Sequence, residues 1–540
     1  MLNRKLRILF LVLCMIGVLV GISNAGFASG IVRVSSTFPV LIDPATGADF
    51  QSIMAIVNLY DPLISMDYEG NIIPHIADSW NVSPDGLTYT FHLRSGIKFY
   101  DGRELTAEDV KFSMDRTLAI GEGNAYIWRG KIKEIEVVDK YTVVFHMETV
   151  FGPFLNSLLS FFIVNKDLVK ENITTGSYGD MGDYGKTYIL DNAVGSGAYM
   201  IEDFKRAEYL LMKKNPNYFL AIDPLAPDQF KMIASTEEVA VKTMMANRDL
   251  EMTNIWMTGE TLEFLSKIDG IELCELTLGN QEFFTMNTTR PPLDDIHVRK
   301  ALAWAFDYDA AKKLVPASSQ PKGPTPQILS GSCPDCFQYH RDLEKAKAEL
   351  KQSKYYGKFD QYPIEAVWFS SVTREKMTML LMANAAEIGL NINIIKTTWS
   401  LLSQNVTKPE TTPFMYLIQY NPAYPEAISL IEGRYHSRGA GTWAQGEWLR
   451  DPKLDKMIDD VLSTPDKDER YAKTREVAKY IVDLCPSIFV IEAPSRSAYQ
   501  AVYMDWPAAK GEVVPAAYNY QYRMRFIKMY PEKREALLKK

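Results

Sequence analysis

The sequence has few of the residues that catalysis at a metal or at a nucleophile requires. It contains six histidines and five cysteines in 540 residues, and no two histidines stand four positions apart. The zinc-binding pattern His-Glu-x-x-His and the nucleophile turn Gly-x-Ser-x-Gly are both missing. Carboxylate pairs such as Asp459-Asp460 are typical of an exposed helix surface. The sequence therefore offers no assembled catalytic group.

Positive charge is also scarce relative to negative charge. The formal net charge is −8, which argues against a nucleic-acid partner. Hydrophobic residues make up 47% and charged residues 23% of the chain, the proportions of an ordinary globular protein. The length predicts two to four domains.

Long apolar runs are missing except near the N-terminus. Three basic residues precede an apolar run over 8–22, and small residues follow it. The run is short for a spanning helix, so the pattern predicts a secretory signal peptide over 1–28, with cleavage near Ala25 or Ala28. A retained membrane anchor is the alternative. Leu13, which precedes Cys14, is too bulky for a lipoprotein signal.

Four cysteines remain after that segment, and two of them are close together. Cys333 and Cys336 flank Pro-Asp in a loop rich in proline, glycine and serine. An exported protein can form disulfides, so a local disulfide is the first interpretation. A zinc site completed by His340 is the second.

The stretch from Trp80 to Leu118 carries the clearest local signals. Ser83-Pro-Asp-Gly86 predicts a turn, and the apolar alternation over 87–93 predicts a half-buried strand. Thr106-Ala-Glu-Asp109 is a capping box, which predicts the start of a helix. The stretch is therefore a hairpin that leads into a capped helix.

The particular residues of this stretch resemble the signature of family 5 extracytoplasmic solute-binding proteins. The matching elements are Ala77-Asp-Ser-Trp80, Asp85-Gly86, Tyr89-Thr-Phe-His-Leu-Arg94, Ile97-Lys-Phe99, Asp101-Gly102 and Leu105-Thr-Ala-Glu-Asp-Val110. Further matches are Gly195-Ser-Gly-Ala-Tyr199, Lys213-Lys-Asn-Pro-Asn-Tyr218 and the helical run Pro292 to Asp307. The resemblance extends from about Ile31 to Tyr503. This family includes the dipeptide-, oligopeptide- and nickel-binding receptors of ATP-binding-cassette importers.

Other segments predict an α/β fold. A strand at 364–369, a helix at 374–388 and a strand at 390–395 form a β-α-β pattern, which implies a parallel sheet with helices on its faces. A helix at 236–247 and a strand at 250–255 are also predicted.

The resemblance implies a two-lobed periplasmic-binding-protein-like fold with hinge closure and an extra subdomain in the first lobe. The implied first lobe is discontinuous and comprises 29–58, 191–287 and 486–540. The inserted subdomain comprises 59–190, and the second lobe comprises 288–485.

The resemblance also implies a receptor without catalytic activity, cofactor or metal. Its implied partners are a peptide or other small ligand and the membrane permease subunits of an importer, and it is expected to be a periplasmic or extracytoplasmic monomer. A receptor for an oligosaccharide or another neutral solute is an alternative within the same family. A secreted hydrolase that uses paired carboxylates is the remote alternative.

Ligand-binding residues are predicted near the ends of strands and in the segments that follow them, because enclosed sites between lobes favour aromatic and a few placed polar groups. For each tryptophan among the predicted residues, packing in the core or between the lobes is the alternative role. For the predicted arginine, the alternative is a position on a solvated helix surface. The predicted residues are Ser36, Thr37, Trp256, Trp368, Arg374, Trp399, Tyr420 and Asn421.

Asn421 bears on the kind of ligand. Peptide-binding relatives hold the ligand ammonium with an aspartate, and the segment that resembles theirs has Asn421 at that position. Asparagine cannot neutralise a buried ammonium. Either another carboxylate such as Glu426 supplies the charge, or the ligand has no free amine.

Overall fold

A computed structural model describes residues 30–369, 371–514 and 519–539. The predicted signal peptide at 1–28 lies outside these residues. Within them, no helix combines the length and the apolar character that crossing a bilayer requires.

The described residues contain both strands and helices throughout. The strands are β1 (Ile31–Ser36), β2 (Ile64–Met66), β3 (Ile72–Pro74), β4 (Ala77–Val82), β5 (Thr88–Leu93), β6 (Ile132–Asp139), β7 (Thr142–Met147), β8 (Tyr199–Lys205), β9 (Tyr209–Lys214), β10 (Gln229–Ala234), β11 (Ile271–Leu276), β12 (Gln281–Met286), β13 (Ile364–Trp368), β14 (Ile392–Lys396), β15 (Met415–Tyr420), β16 (Ser487–Glu492), β17 (Ser495–Gln500), β18 (Met504–Asp505) and β19 (Lys528–Met529). The α-helices are α1 (Phe50–Leu59), α2 (Ala107–Ile120), α3 (Phe154–Ser157), α4 (Lys166–Glu171), α5 (Lys186–Ile189), α6 (Glu238–Ala246), α7 (Gly259–Ser266), α8 (Ile296–Ala305), α9 (Tyr308–Leu314), α10 (Leu343–Gln352), α11 (Val372–Ala386), α12 (Trp399–Asn405), α13 (Ala427–Tyr435), α14 (Pro452–Leu462), α15 (Lys467–Leu484) and α16 (Pro531–Leu538).

The first sheet has the strand order β1-β10-β9-β8 and continues to β17 and β11 through Met252. Met252 makes a parallel bridge with Val34 and an antiparallel bridge with Tyr499. The strand predicted at 250–255 is therefore wrong in extent, because only this bridge residue pairs on both sides. We call this sheet and its helices the first lobe.

A second, antiparallel sheet has the order β4-β5-β7-β6 and follows the prediction for the stretch 80–118. Tyr89, Phe91 and Leu93 of β5 are buried, as their alternation predicts. The backbone N–H of Thr106 donates to Asp109 Oδ2 at 2.9 Å at the start of α2, which confirms the capping box. We call this unit, from β4 to β7 with α2, the inserted subdomain.

The third sheet has the order β14-β13-β15-β12-β16. Strand β13 runs parallel to both β14 and β15, and α11 connects β13 to β14, so the predicted β-α-β unit is confirmed. We call this sheet and its helices the second lobe.

The chain passes between the first and second lobes at two short connections. Residues 277–280 join β11 to β12, and residues 493–494 join β16 to β17. The Asn280 side chain donates to Ser495 Oγ at 2.6 Å and so links the first connection to the start of β17, directly after the second. The boundaries expected from the resemblance, at 287/288 and 485/486, fall on the other side of β12 and β16, which belong to the third sheet.

Several hydrophobic cores lie under these sheets, and two of them are the largest. One contains side chains of the first lobe, such as Val34, Phe230 and Tyr503. The other joins side chains of the inserted subdomain, such as Phe145, to side chains of the second lobe, such as Ile418. The inserted subdomain therefore packs directly on the second lobe.

Candidate functional site

Aromatic side chains from both lobes form one connected row. The ring centroids of neighbours along it lie 6.2 Å (Phe50–Trp256), 5.5 Å (Phe369–Trp399), 5.4 Å (Trp399–Trp443) and 5.3 Å (Trp443–Tyr420) apart. The Arg374 guanidinium carbon lies 5.9 Å from the Trp256 centroid and 4.9 Å from the Phe369 centroid, and so closes the remaining gap. We call these six rings and Arg374 the aromatic row.

The aromatic row reaches solvent at three tryptophans. Trp256, Trp399 and Trp443 have 38%, 43% and 38% of their surface exposed. Among the tryptophans that the structure describes, these three are the most exposed. Large apolar surfaces that face water together commonly mark a binding surface.

Trp256 is held at the edge of the first sheet by a short hydrogen-bonded chain. The Asn254 backbone N–H donates to Ser35 Oγ at 2.9 Å, and the Trp256 backbone N–H donates to Asn254 Oδ1 at 2.8 Å. Ser36 is buried and Thr37 is half-buried at the same end of β1. The predicted residues of the first lobe therefore share one edge.

Arg374 lies in the first turn of α11 and faces both lobes. Ser371 caps this helix, since its Oγ accepts from the Arg374 backbone N–H at 3.3 Å. Only 7% of Arg374 is exposed. Its guanidinium lies 3.5 Å from Glu282 Oε1 on β12, so the single cation in the row has a nearby carboxylate. The prediction of a solvated helix surface for Arg374 does not describe this environment.

Tyr420 forms the end of the row at the junction with the inserted subdomain. Burial raises the pKa of Tyr420 and raises the pKa of its hydrogen-bond partner Tyr126 well above the usual value. Both phenols are therefore protonated. A Cβ on Gly433 would lie 2.5 Å from the Tyr420 hydroxyl, so the absence of a side chain at 433 leaves room for this group.

Trp368 is the one predicted tryptophan that does not join the row. It is buried, and Lys396 Nζ lies 5.0 Å from the centroid of its ring. Successive strand residues face opposite sides, so the next residue, Phe369, reaches the row instead.

The sequence reasoning missed four contributors to the site, and one of them, Phe50, lies at the start of α1. Phe369 directly follows β13 and could have been found by considering both residues at the strand end. Glu282 could have been found only by knowing that β12 and α11 are neighbours. Trp443 lies in an irregular segment, and no local signal distinguishes it from any other exposed tryptophan.

Glu426 is buried, and both oxygens of its carboxylate accept hydrogen bonds. Its carboxylate accepts from Arg470 Nε at 3.0 Å and Nη2 at 2.9 Å, and from Asn156 Nδ2 at 2.8 Å. These three donors hold both oxygens. Asn421, by contrast, is half-buried, and its Oδ1 lies 3.5 Å from Gln419 Nε2.

A second buried ion pair joins the inserted subdomain to the second lobe. Lys131 Nζ lies 2.7 Å from Glu432 Oε1 and 4.0 Å from the Phe151 ring centroid. Burial lowers the pKa of Lys131, and the Glu432 carboxylate opposes this effect. The charged groups around the row are therefore paired with one another: Arg374 with Glu282, Arg470 with Glu426, and Lys131 with Glu432.

Cys333 and Cys336 form a disulfide, which confirms the first interpretation of their spacing. With the two sulfurs bonded to each other, the pair does not provide the thiolate ligands of the alternative zinc site. Among the described residues, no group of three or more metal-ligating side chains is found.

Among the described residues, the row presents aromatic rings and one paired arginine, an arrangement that can bind a ligand. Aromatic faces that are partly exposed can stack on a flat or apolar ligand group, and the Arg374–Glu282 pair can orient its polar groups. Sites of this kind, apolar with a few placed polar groups, are typical of small-ligand recognition.

Comparison with known proteins gives a consistent result. Residues 71–442 match the family described as bacterial extracellular solute-binding proteins, family 5 Middle. The chain is 22% identical over 469 residues to the probable D,D-dipeptide-binding periplasmic protein of Escherichia coli K12, covering 84% of this chain and 86% of the relative. It is 28% identical over 393 residues to the dipeptide-binding protein of the same organism, covering 67% and 69%.

Solved structures share the fold. The periplasmic binding protein DppA of Helicobacter pylori, in complex with the peptide STSA, superposes with a TM-score of 0.79 and 21% identity. The superposition covers 93% of this chain and 98% of that one. The two-lobed α/β architecture expected from the sequence is confirmed.

Proposed function

The chain belongs to the bacterial extracellular solute-binding proteins of family 5, and from that premise we propose that it is the receptor of an ATP-binding-cassette importer. It captures a peptide or a related small solute between its two lobes and delivers the solute to the permease subunits in the membrane. It acts outside the cytoplasm as a monomer, without catalysis. The observation that supports this proposal most directly is the aromatic row, which connects the lobes and is exposed at three tryptophans.

The ligand-binding residues we propose are those that meet at the row. Trp256, with Ser36 and Thr37 at the same sheet edge, contributes from the first lobe. Arg374, Trp399, Tyr420 and Asn421 contribute from the second lobe, together with Phe369, Trp443 and Glu282. We propose that the lobes meet at 277–280 and 493–494, because sheet membership changes there.

Substitutions with matched controls test this site. Trp256→Ala and Trp399→Ala each remove one exposed ring of the row and should weaken binding of a peptide by about fivefold or more, since stacked rings contribute about 1 kcal/mol each or more. Phe264→Ala and Phe337→Ala remove exposed rings, each 51% accessible, from the same two lobes but outside the row. Calorimetric titration with a panel of free and N-acetylated di- and tripeptides measures the affinities. Equal effects of row and control variants would contradict the site.

The names of the relatives place peptides first among the candidate cargoes. Among the described residues, neither Glu426 nor Glu282 is free for a peptide ammonium, because Glu426 accepts from Arg470 and Asn156, and Glu282 lies beside Arg374. An uncompensated ammonium in a closed site costs several kcal/mol. We therefore propose a ligand that brings no free amine into the closed site: a blocked peptide, a longer peptide whose amine lies outside the site, or a neutral solute such as an oligosaccharide.

A pair of matched ligands tests this preference. A dipeptide and its N-acetylated form differ only in the ammonium, and we expect the acetylated form to bind at least as tightly. Asn421→Asp should reverse the order in favour of the free dipeptide. Tight binding of the free form that acetylation abolishes in the native protein would contradict the proposal.

The hydrolase alternative predicts a different outcome. A receptor returns its ligand unchanged, so mass spectrometry of the bound fraction after long incubation should recover the intact ligand. Cleavage products that depend on the protein would replace the receptor proposal with the hydrolase.

A further inference from the structure

A small cavity of the first lobe is lined by two arginines and lies apart from the aromatic row. It forms where the end of α1, the residues after it and the C-terminal segment around 523–525 meet, and its volume is about 10 Å³. Such a volume accommodates one occupant of about the size of a water molecule. The polar side chains that matter for its charge are Asp61, His75, Tyr218, Arg523 and Arg525.

The one carboxylate in this lining is already satisfied. Asp61 Oδ1 accepts from His75 Nε2 and from the Tyr218 hydroxyl at 2.8 Å each, and Oδ2 accepts from Ser196 Oγ at 2.8 Å. Burial opposes ionisation of Asp61, but these hydrogen bonds outweigh it and lower its pKa. Burial lowers the pKa of His75. The lining therefore contributes one negative charge, and its histidine is neutral at pH 7.

The two arginines contribute two positive charges. Arg523 is only 7% exposed; its Nη1 donates to Ser65 Oγ at 3.1 Å, and its guanidinium carbon lies 3.6 Å from the Tyr520 ring centroid. The Arg525 guanidinium carbon lies 5.4 Å from the Tyr218 centroid. Within the part of the chain that the structure describes, neither guanidinium makes an ion pair with a carboxylate. Arginine stays protonated in proteins, so one positive charge is left over.

We propose that this cavity binds one small monovalent anion of the chloride class between Arg523 and Arg525. Arg523 is buried and Arg525 is half-buried. Two guanidinium groups beside one carboxylate leave a positive charge partly removed from water, which is costly, and an anion in the cavity removes that cost. Guanidinium N–H groups are strong donors to anions. The size of the cavity excludes polyatomic carboxylates and phosphate esters.

The anion would fasten the C-terminal segment to the first lobe. The same segment is already hydrogen-bonded to the end of α1. Asn58 Nδ2 donates to the Tyr522 carbonyl at 2.8 Å, and the Met524 backbone N–H donates to Asn58 Oδ1 at 2.9 Å. The proposed site adds a charged contact next to these neutral ones. It does not depend on the receptor function proposed above.

Thermal unfolding of the full chain tests the site. Melting curves are recorded in sodium chloride and in sodium gluconate at equal ionic strength, since gluconate is too large for the cavity. A ligand that binds only the folded state raises the melting temperature with the logarithm of its concentration. We expect this rise in chloride only, and we expect Arg525→Gln to shift the required chloride concentration upward by about tenfold or more.

Two further measurements make the result decisive. Arg450→Gln removes an exposed arginine of the second lobe and should leave the chloride response unchanged. Arg525→Gln carries the test because Arg523→Gln removes a buried side chain and could unfold the protein. In crystals grown with sodium bromide, an anomalous peak should lie between Arg523 and Arg525. Identical melting curves in the two salts would show that the cavity holds only a water molecule, and would overturn the proposal. An equal loss of the chloride response in Arg525→Gln and Arg450→Gln would also overturn it.

Discussion

Glu492 is the group whose removal should change the pH dependence of stability most clearly. It ends β16 next to the connection 493–494, and its Oε1 is buried without a hydrogen-bond partner in the structure. Its Oε2 lies 3.5 Å from the Gln327 backbone nitrogen. Burial raises the pKa of Glu492 from its ordinary 4.5 to about 7, and the Gln327 N–H only partly opposes this.

The sign of the effect follows from proton binding. Between pH 4.5 and pH 7 the folded state keeps a proton on Glu492 that the unfolded state releases, so the free energy of unfolding falls as pH rises through this window. The contribution is fully present below pH 4.5 and lost above pH 7. The pKa difference corresponds to at most about 3 kcal/mol. Partial solvent access to the side chain reduces it, and we expect about 1–2 kcal/mol.

The substitution Glu492→Gln removes this titration and keeps the shape. We expect the variant to be as stable as the native protein at pH 5 and more stable by about 1–2 kcal/mol at pH 8. Urea unfolding at the two pH values measures this, and Glu410→Gln, at an exposed position, is the control. A Glu492→Gln profile parallel to that of the native protein, or a loss of stability at pH 8, would refute the reasoning.

Three further outcomes are expected. Glu426→Gln leaves Arg470 buried without its counter-charge and should lower the free energy of unfolding by about 3 kcal/mol in urea titrations; a loss below about 1 kcal/mol would contradict the pairing. Cys333 and Cys336 should resist alkylation in denaturant until a reductant is added, as read by intact mass, whereas labelling of both without reductant would exclude their bond. Small-angle scattering should show a smaller radius of gyration when a bound ligand is present, and an unchanged radius for every ligand shown to bind would count against closure of the lobes.

Local signals in the sequence predicted local structure well. The capping box at Thr106 and Asp109 and the alternation of β5 depend on neighbours within a few residues, and both are confirmed. The β-α-β unit around α11 is confirmed for the same reason. The strand at 250–255 failed because its length depends on distant partners: only Met252 meets Val34 and Tyr499.

The environment of the candidate site could not be predicted in the same way. Glu426 was a possible anchor for a ligand ammonium, but Arg470, 44 residues later, occupies it. Arg374 was predicted to contact the ligand, with a solvated helix surface as its alternative role, but a glutamate on another strand and two rings surround it. Such contacts depend on which strand ends become neighbours, and no spacing along the chain encodes that.

The shared core of the inserted subdomain and the second lobe has a consequence for the order of folding. Lys131 and Glu432, which pair across this junction, are 301 positions apart, and the apolar cluster around them runs from Leu63 to Phe489. A chain that emerges N-terminus first cannot cover this face of the inserted subdomain until the second lobe has followed. Non-local contacts of this kind make folding slow, and this face of the inserted subdomain stays uncovered until the second lobe has formed. Truncation before Glu432 would leave the apolar face open and prone to aggregation.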